Sequence, residues 1–347
     1  MTLTEQYKEL NDSFSREIVY HLGIDAGFFT EYTYMLNAML YCLNHRIKFR
    51  LYSADANFGV KDGWQDFFMP FCDEDTNPLH HKYNRHAIPS LKKLFEYNSE
   101  KDKIGLTKWK LKVSMLKRLG HIKCLITYHH RVLLNQDIQF QITKRYPVPE
   151  MELNGDYLKG FRKMVDLTWH LNSEVEEASR ALIESLHLPK DYVGCQLRGG
   201  DKITEVSLTS PDALVDTLRC LPNHENVFVL TDDYRLFEHL QSHYSDIHWY
   251  TLCSPEEHGY INKSFTSTAP EQKRKQMIRF LTSMQLLIGA THFVGSITTG
   301  PSLFILKYLW PNAIPQDCSR EDFLRAITLR VPERGDMAEA YMKAQCV

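Results

Sequence analysis

The sequence predicts an α/β protein of two parallel-sheet domains, and three observations carry that prediction. From residue 192 onward, short apolar runs alternate with segments of helical period, the pattern of βαβ units in a parallel sheet. Residues 18–52 follow the same scheme once, as apolar run, glycine loop, helix and apolar run. At 347 residues the chain also exceeds what one ordinary core serves, so about two domains is the default.

In chain order, the first strand is IVYHL at 18–22. It enters a loop holding Gly23 and Gly27, and a helix follows with Tyr34, Ala38, Tyr41 and Cys42 on one face. A short strand at 49–52 closes that unit. Residues 92–118 are basic and helical in pattern, and 150–187 are helical and rich in acid. We set the domain boundary near Pro189, giving domains 1–185 and 186–347, with the final helices able to return to the first domain. In the second domain YVGCQLR at 192–198 is a strand. Pro211 opens a helix after Thr209 and Ser210, and 226–230 (NVFVL) is the next strand. Residues 234–243 carry Leu236, Phe237 and Leu240 at helical spacing, and 247–252 is a third strand. After a polar loop at 254–269, Pro270 starts a long helix through Met277, Phe280, Met284 and Leu287, which Gly289 ends. HFVGSI at 292–297 is a fourth strand, and Thr298, Thr299, Gly300 and Pro301 open a last helix. The whole reads as a Rossmann-like, parallel-sheet arrangement.

Composition excludes several function classes. A formal net charge of -2 gives no general attraction to nucleic acid or an anionic membrane, so any phosphate site is local. No apolar run has the length of a membrane-spanning helix, and MTLTEQYKEL is not a signal sequence. The eight cysteines stand singly without CxxC spacing, as reduced core thiols do, which argues against structural zinc and for a cytoplasmic location.

Four segments carry candidate chemistry. The strand at 192–198 breaks into Arg198, Gly199, Gly200, Asp201 and Lys202, with Glu205 close behind. Ligands of open α/β sheets bind at carboxyl strand ends, and a planar guanidinium suits phosphate, so Arg198 and Lys202 are candidate diphosphate ligands. Asp201 is a candidate to orient Arg198, and Glu205 to act as general base. The strand at 226–230 ends in Thr231, Asp232 and Asp233, where paired carboxylates bind a sugar, brace Arg198, hold a metal, or cap the next helix, capping fitting Asp233 better. Ser296, Thr298, Thr299 and Gly300 put hydroxyls and N–H groups at a helix start, either as an anion site or as an N-cap. The loop at 23–31 (GIDAGFFTE) matches no nucleotide fingerprint and is a strand-to-helix connector on its own evidence. Asp73, Glu74 and Asp75 form a DxD match of the kind that holds a metal, but in a polar turn they read as a solvated loop. His80, His81 and His86 complete no ligand set and read as exposed.

QLRGGDK, VFVLTDD and HFVGSITTGPS, in that order, resemble the three C-terminal motifs shared by α-1,6-fucosyltransferases, rhizobial nodulation fucosyltransferases and protein O-fucosyltransferases. The family pattern is a strand with HxRRxDK, a strand ending in TDD and a strand ending in a serine-rich turn. In the N-terminal half GFFTE, LNAMLYCL and GWQDFFMPF resemble the family's glycine loop, first helix and W-x-D-Y-F-x-P-like segment. The likeness spans roughly residues 18–310. It implies a GT-B fold, two Rossmann-like domains facing across a cleft. It also implies an inverting, metal-independent transfer from GDP-fucose to a glycan, oligosaccharide or glycolipid hydroxyl, with no cofactor. By the same likeness Arg198 matches the β-phosphate arginine, Asp201 and Lys202 the end of that motif, Asp232 and Asp233 the TDD pair, and Thr298 and Thr299 the phosphate-side serines. Gly27 and Phe28 fall in the glycine loop on the donor side. There are departures. The histidine is Gln196, which can still bond a base or ribose, and the second arginine is Gly199. The base-reading aspartate of the long helix falls near Ser283, and Glu205 lies one residue closer to its motif than the base glutamate of the α-1,6 enzymes.

Three functions therefore compete: an inverting glycosyltransferase using GDP-fucose or another sugar nucleotide; a non-catalytic sugar-nucleotide or glycan binder, favoured by Gly199; and a dehydrogenase-like protein, which lacks its glycine fingerprint. The sequence leaves the acceptor, the linkage and the oligomeric state open.

Overall fold

The computed structural model describes residues 1–23, 27–84, 115–116, 118–120, 125–126, 147–199, 210–259, 265 and 268–328. Contacts divide the chain into two compact units, with the break between His170 and Leu171. Each has its own parallel sheet, as the strand and helix periods require.

The first unit begins with α1 (Leu3–Asp12), held at its start by a capping box between Thr2 and Glu5. Three parallel strands follow, β1 (Arg16–His21), β2 (Ile47–Tyr52) and β3 (Leu125–Ile126), in the order β2-β1-β3. Between β1 and β2 runs α2 (Phe28–Asn44), buried along most of its length. Helices α3 (Leu79–Asn84) and α4 (Tyr157–Thr168) complete the described part. Asn11 bonds the Phe49 backbone in both directions, at 2.9 and 2.7 Å, and so fastens α1 to β2. The segment Gly63–Phe71 is a core element. Trp64 is fully buried, stacks on Phe68 at 4.2 Å between ring centroids and donates its indole N–H to the Met69 carbonyl. Asp66 accepts the N–H groups of Val60, Lys61 and Asp62, so its carboxylate braces a loop.

Two expectations here need correction. The Asp73–Asp75 stretch is not a solvated loop. It runs beside β2, with the Leu51 N–H bonded to the Asp73 carbonyl and the Asp75 N–H to the Leu51 carbonyl. Its carboxylates are spent on protein partners: Asp73 on Lys48, Glu74 on Ser53 and Gln65, Asp75 on His80 and Arg50. Nor is His80 exposed. It is wholly buried, with an Asp75 carboxylate oxygen 3.4 Å from its Nε2. His81 is half-exposed and His86 lies outside the described residues, as does most of the expected basic helix at 92–118.

The second unit opens with α5 (Ser173–Leu186), capped by the Asn172 side chain. Its strands are β4 (Val193–Leu197), β5 (Asn226–Thr231), β6 (His248–Tyr250), β7 (His292–Gly295) and β8 (Ala313–Pro315). The intervening helices are α6 (Pro211–Leu218), α7 (Tyr234–His243), α8 (Pro270–Ile288) and α9 (Gly300–Leu309), with α10 (Arg320–Thr328) after β8. All strand pairs are parallel and the order is β6-β5-β4-β7-β8. The chain steps outward from β4 through β5 to β6, then crosses back to β7. The β4–β7 boundary is thus the point where strand order reverses, the place where open α/β sheets bind ligands. β4 is buried along its whole length, in keeping with a sequence that is apolar but for Gln196 rather than alternating. Helix α8 starts at Pro270 and ends against Gly289 as expected. It carries α5 with it: Thr282 donates to Ser179 at 2.8 Å and Arg274 pairs with Glu174 at 2.9 Å. Residues 329–347 lie outside the described residues, and with them the question of a return to the first unit. Among the described residues no helix is long and apolar enough to cross a membrane.

Candidate functional site

The carboxyl edge of the second sheet brings three of the four sequence segments together. Arg198 follows directly on β4, Asp232 on β5, and the Ser296–Gly300 turn on β7; β4 lies between the other two. Adjacent parallel strands of matched register deliver their ends to one edge, so the convergence follows from the βαβ pattern.

Asp232 clamps the turn after β4. One carboxylate oxygen sits 2.8 Å from an Arg198 guanidinium nitrogen, and the other accepts the Gly199 N–H at 2.7 Å. Arg198 is 19% and Asp232 15% exposed, so the pair stands at the surface of the edge rather than inside it. Of the roles open to the TDD carboxylates, Asp232 takes the bracing one. Asp233 takes the capping one: its side chain accepts the Arg235 N–H at the start of α7 and a two-pronged contact from the Arg235 guanidinium at 2.9 and 2.6 Å. The Arg235 hydrogen bonds hold the Asp233 carboxyl below the ordinary aspartate range despite burial.

Gly199 is explained by Asp233. A Cβ at Gly199 would lie 2.8 Å from the Asp233 Cβ and 3.2 Å from one of its carboxylate oxygens. The space that a longer side chain needs is filled by the capping residue of α7.

On the other side of β4, Gln196 accepts the Thr299 hydroxyl at 2.6 Å, and both residues are buried. This bond crosses the β4–β7 boundary. Thr299 is the N-cap residue of α9 by position, yet its hydroxyl serves Gln196 and makes no capping bond. Ser296 and Thr298 share a hydrogen bond at 2.6 Å, and Ser296 also donates to Asp317, which accepts the Ile297 N–H at 2.9 Å. The Ser296–Thr298 part of the turn is therefore already occupied by a carboxylate. What an anion can meet is the N–H of Gly300 at the start of α9, which has no acceptor within the helix; Pro301 has none to offer and Ser302 is wholly buried.

The remaining candidates sit elsewhere. Ser283 is buried in α8, its hydroxyl donated to the Arg279 carbonyl at 3.0 Å. Gly27 and Phe28 belong to the first unit. Gly27 precedes α2 with φ -64°, and Phe28 is ringed by Phe29, Tyr32, Phe58, Phe68 and Trp169. Gly200, Asp201, Lys202 and Glu205 lie outside the described residues.

The sequence reading missed three features. Asp317 follows a strand, β8, that was not foreseen, and lies 21 positions from Ser296. Arg235, which holds Asp233, was not singled out in its helix. Glu257 was assigned to a polar loop, but its backbone accepts the Tyr234 N–H at 2.8 Å and its side chain pairs with Arg279 of α8. Among the described residues no cluster of His, Cys, Asp or Glu is arranged to hold a metal, and Cys42, Cys72, Cys195, Cys220, Cys253 and Cys318 are free thiols.

No protein-family model and no curated protein matches this chain. Among solved structures it is similar to NodZ α-1,6-fucosyltransferase soaked with GDP-fucose, with a TM-score of 0.51 at 13% identity over 86% of this chain and 94% of that one. The fucosyltransferase NodZ from Bradyrhizobium gives 0.51 at 12% identity, covering 88% and 96%. NodZ co-crystallised with GDP gives 0.50 at 12%, covering 86% and 94%. Two parallel-sheet α/β units in one chain, aligned over nearly the full length of those structures, give this protein the GT-B fold that they have.

Proposed function

We propose that the protein is an inverting glycosyltransferase that moves a sugar, fucose by preference, from a nucleoside diphosphate to a hydroxyl of a glycan, oligosaccharide or glycolipid. The observation that carries this reading is Arg198, held by Asp232 beside the strand-order reversal. A cation fixed there meets a diphosphate and gives up no orientational freedom when it does so. The fold of NodZ, a protein solved with GDP-fucose and with GDP, supports a guanosine donor.

In the proposed reaction the acceptor oxygen attacks the anomeric carbon as the bond to the β-phosphate oxygen breaks. The electron pair leaves with the diphosphate and the hydroxyl proton passes to a base. Arg198 and the N-terminal turn of α9 stabilise the charge that builds on the leaving group. Lys202 adds to it, and Asp201 and Glu205 are candidates for the base, on the sequence alone. Gln196 fixes the α9 turn through Thr299 and lies beside the same crevice. No metal is assigned a role. A cytoplasmic location belongs to the proposal, on the strength of the free thiols.

Gly199 gives the non-catalytic reading less support than the sequence alone did. The absent arginine reflects space taken by Asp233, not a dismantled site.

A thermal-shift panel of GDP, UDP and ADP sugars tests the donor, since a bound ligand raises apparent stability by mass action. GDP-fucose is expected to stabilise most, and Arg198→Ala to lose both that shift and GDP release. Near-normal turnover in the variant would overturn the assignment.

A further inference from the structure

The turn after β7 carries a hydroxyl relay whose protons can be assigned one by one. Asp317, just past β8, accepts the Ile297 N–H on one carboxylate oxygen at 2.9 Å and the Ser296 hydroxyl on the other. A carboxylate only accepts, so the single Ser296 proton is committed to Asp317. Ser296 Oγ then meets Thr298 twice: it accepts the Thr298 N–H at 3.1 Å and lies 2.6 Å from the Thr298 hydroxyl. With the Ser296 proton spent, Thr298 is the donor of that second bond, and its own proton is turned inward. Thr298 is exposed, and what its Oγ1 offers outward is lone pairs alone.

The opposite polarity lies beside it. In the β4–β7 register Cys195 stands opposite Val294, so its continuation sets Ser296 and Ile297 level with Leu197 and Arg198. Gln196 and Arg198 are two positions apart on β4, so their side chains leave the same face about 7 Å apart. Gln196 is 8% exposed and spends its oxygen on Thr299, while its Nε2 has no partner among the described residues. A buried amide nitrogen with unused N–H groups calls for an acceptor from outside the chain. Arg198, Gln196 Nε2 and the Gly300 N–H are therefore all donors, whereas Thr298 Oγ1 and Asp317 are acceptors. A phosphate group, itself an acceptor, suits the first side. Next to Asp317 it would set like charge against like. The Thr298 side fits an uncharged group that brings its own proton.

We propose that Thr298 accepts a sugar-ring hydroxyl of the nucleotide donor, with Asp317 as the positioning residue that orients it through Ser296. This rests on the sugar-nucleotide reading above and divides that site in two. The diphosphate belongs to the side of Arg198 and Gln196, and a hydroxyl of the ribose or of the transferred sugar to the side of Thr298. The family likeness puts Thr298 with the phosphates; the relay takes it away from them, because its proton is already used.

Calorimetry on the full chain tests this with pyrophosphate, GDP, 2′,3′-dideoxy-GDP and GDP-fucose. Thr298→Val keeps the shape and removes the acceptor. It should leave the Kd for pyrophosphate within about 2-fold and weaken GDP-fucose by about 5-fold or more. If the hydroxyl is the ribose's, the same loss appears with GDP and vanishes with dideoxy-GDP. If it is the transferred sugar's, the loss appears with GDP-fucose alone. In Asp317→Asn an amide nitrogen donates to Ser296 and turns the relay round, so GDP-fucose should weaken while pyrophosphate tightens. Adding Thr298→Val to Asp317→Asn should then cost less than about 2-fold more. Retained pyrophosphate binding shows that each variant is folded. Pyrophosphate and GDP-fucose weakened equally by Thr298→Val put a phosphate at that hydroxyl and overturn the proposal. A GDP-fucose Kd in Thr298→Val within about 2-fold of the parent overturns it too. Losses that add fully across the two substitutions overturn the part given to Asp317. A parent that binds neither GDP nor GDP-fucose more tightly than pyrophosphate, or binds none of the four, overturns the sugar-nucleotide reading and this one with it.

Discussion

Asp232 holds Arg198 and the backbone of its neighbour with one carboxylate, at 2.8 Å to the guanidinium and 2.7 Å to the Gly199 N–H. The side chain and main chain of the β4 turn are therefore fixed by a single residue on the next strand. In Asp232→Asn the amide oxygen can still accept from Gly199, but the amide nitrogen faces the guanidinium, donor against donor. Arg198 loses its anchor. The expected result is a loss of about 1–3 kcal/mol in urea unfolding and about 10-fold or more in GDP affinity by calorimetry. Unchanged affinity would show that Arg198 does not meet the nucleotide.

Gly199→Ala places a methyl group against the Asp233 side chain, at 2.8 Å from its Cβ. Asp233 cannot move freely, since it caps α7 and holds Arg235. Destabilisation of about 1–3 kcal/mol is expected from overpacking at this buried turn, read as a lower urea midpoint at constant slope. Gly199→Arg, which restores the charge found in the resembling motif, should fail to tighten GDP binding.

Thr299→Val keeps the shape of the N-cap residue and removes the hydroxyl that Gln196 accepts at 2.6 Å. The buried Gln196 oxygen is left without that donor. A cost of about 1–3 kcal/mol follows, and Thr299→Ser should recover most of it. Rescue by serine separates the lost hydrogen bond from a packing defect.

Acid stability should depend on Asp75. Its hydrogen bond to His80 outweighs burial and takes the carboxyl down from 3.8 to about 2. A carboxyl depressed in the folded state stabilises above its unfolded pKa and loses that contribution as pH falls through the folded value. The window is therefore about pH 4 to about pH 2, and solvent screening of a partly exposed pair limits the effect to about 1–2 kcal/mol. Asp75→Asn should flatten the urea-midpoint-against-pH curve in that window and leave its neutral-to-basic arm in place.

Lys307 of α9 is buried, and burial lowers its pKa to about 8. Between about 8 and 10.5 the unfolded chain binds the proton that the folded chain has released, so stability should rise with pH across that window. Lys307→Met should raise the thermal midpoint at pH 7 and abolish the rise.

The elements of the second unit were legible because each carries its own local signal. Apolar runs marked β4, β5 and β7, Pro270 and Gly289 bracketed α8, and the motif residues at strand ends fell on one sheet edge as parallel strands require. What was not legible was partnership. Nothing local says that Asp232 reaches back to Arg198 and Gly199, or that Gln196 spends its oxygen on Thr299, because these bonds depend on strand order. Asp317 escaped for a similar reason: β8 has only three residues, too few for an alternating pattern. In the first unit the histidines misled because an exposed and a wholly buried ring stand side by side in the sequence, and their fates are decided by Asp55 and Asp75, 26 and five positions away.

The order β6-β5-β4-β7-β8 has a consequence for motion. Two stitches leave the end of β4 in opposite directions, one to Asp232 and one to Thr299. Fraying at either flank loosens the same turn, so the arginine's mobility reports on both halves of the sheet at once. In hydrogen–deuterium exchange the Gly199 amide, though it sits at a strand end where fraying is ordinary, should exchange as slowly as the sheet interior. It should quicken when either stitch is cut, from whichever side.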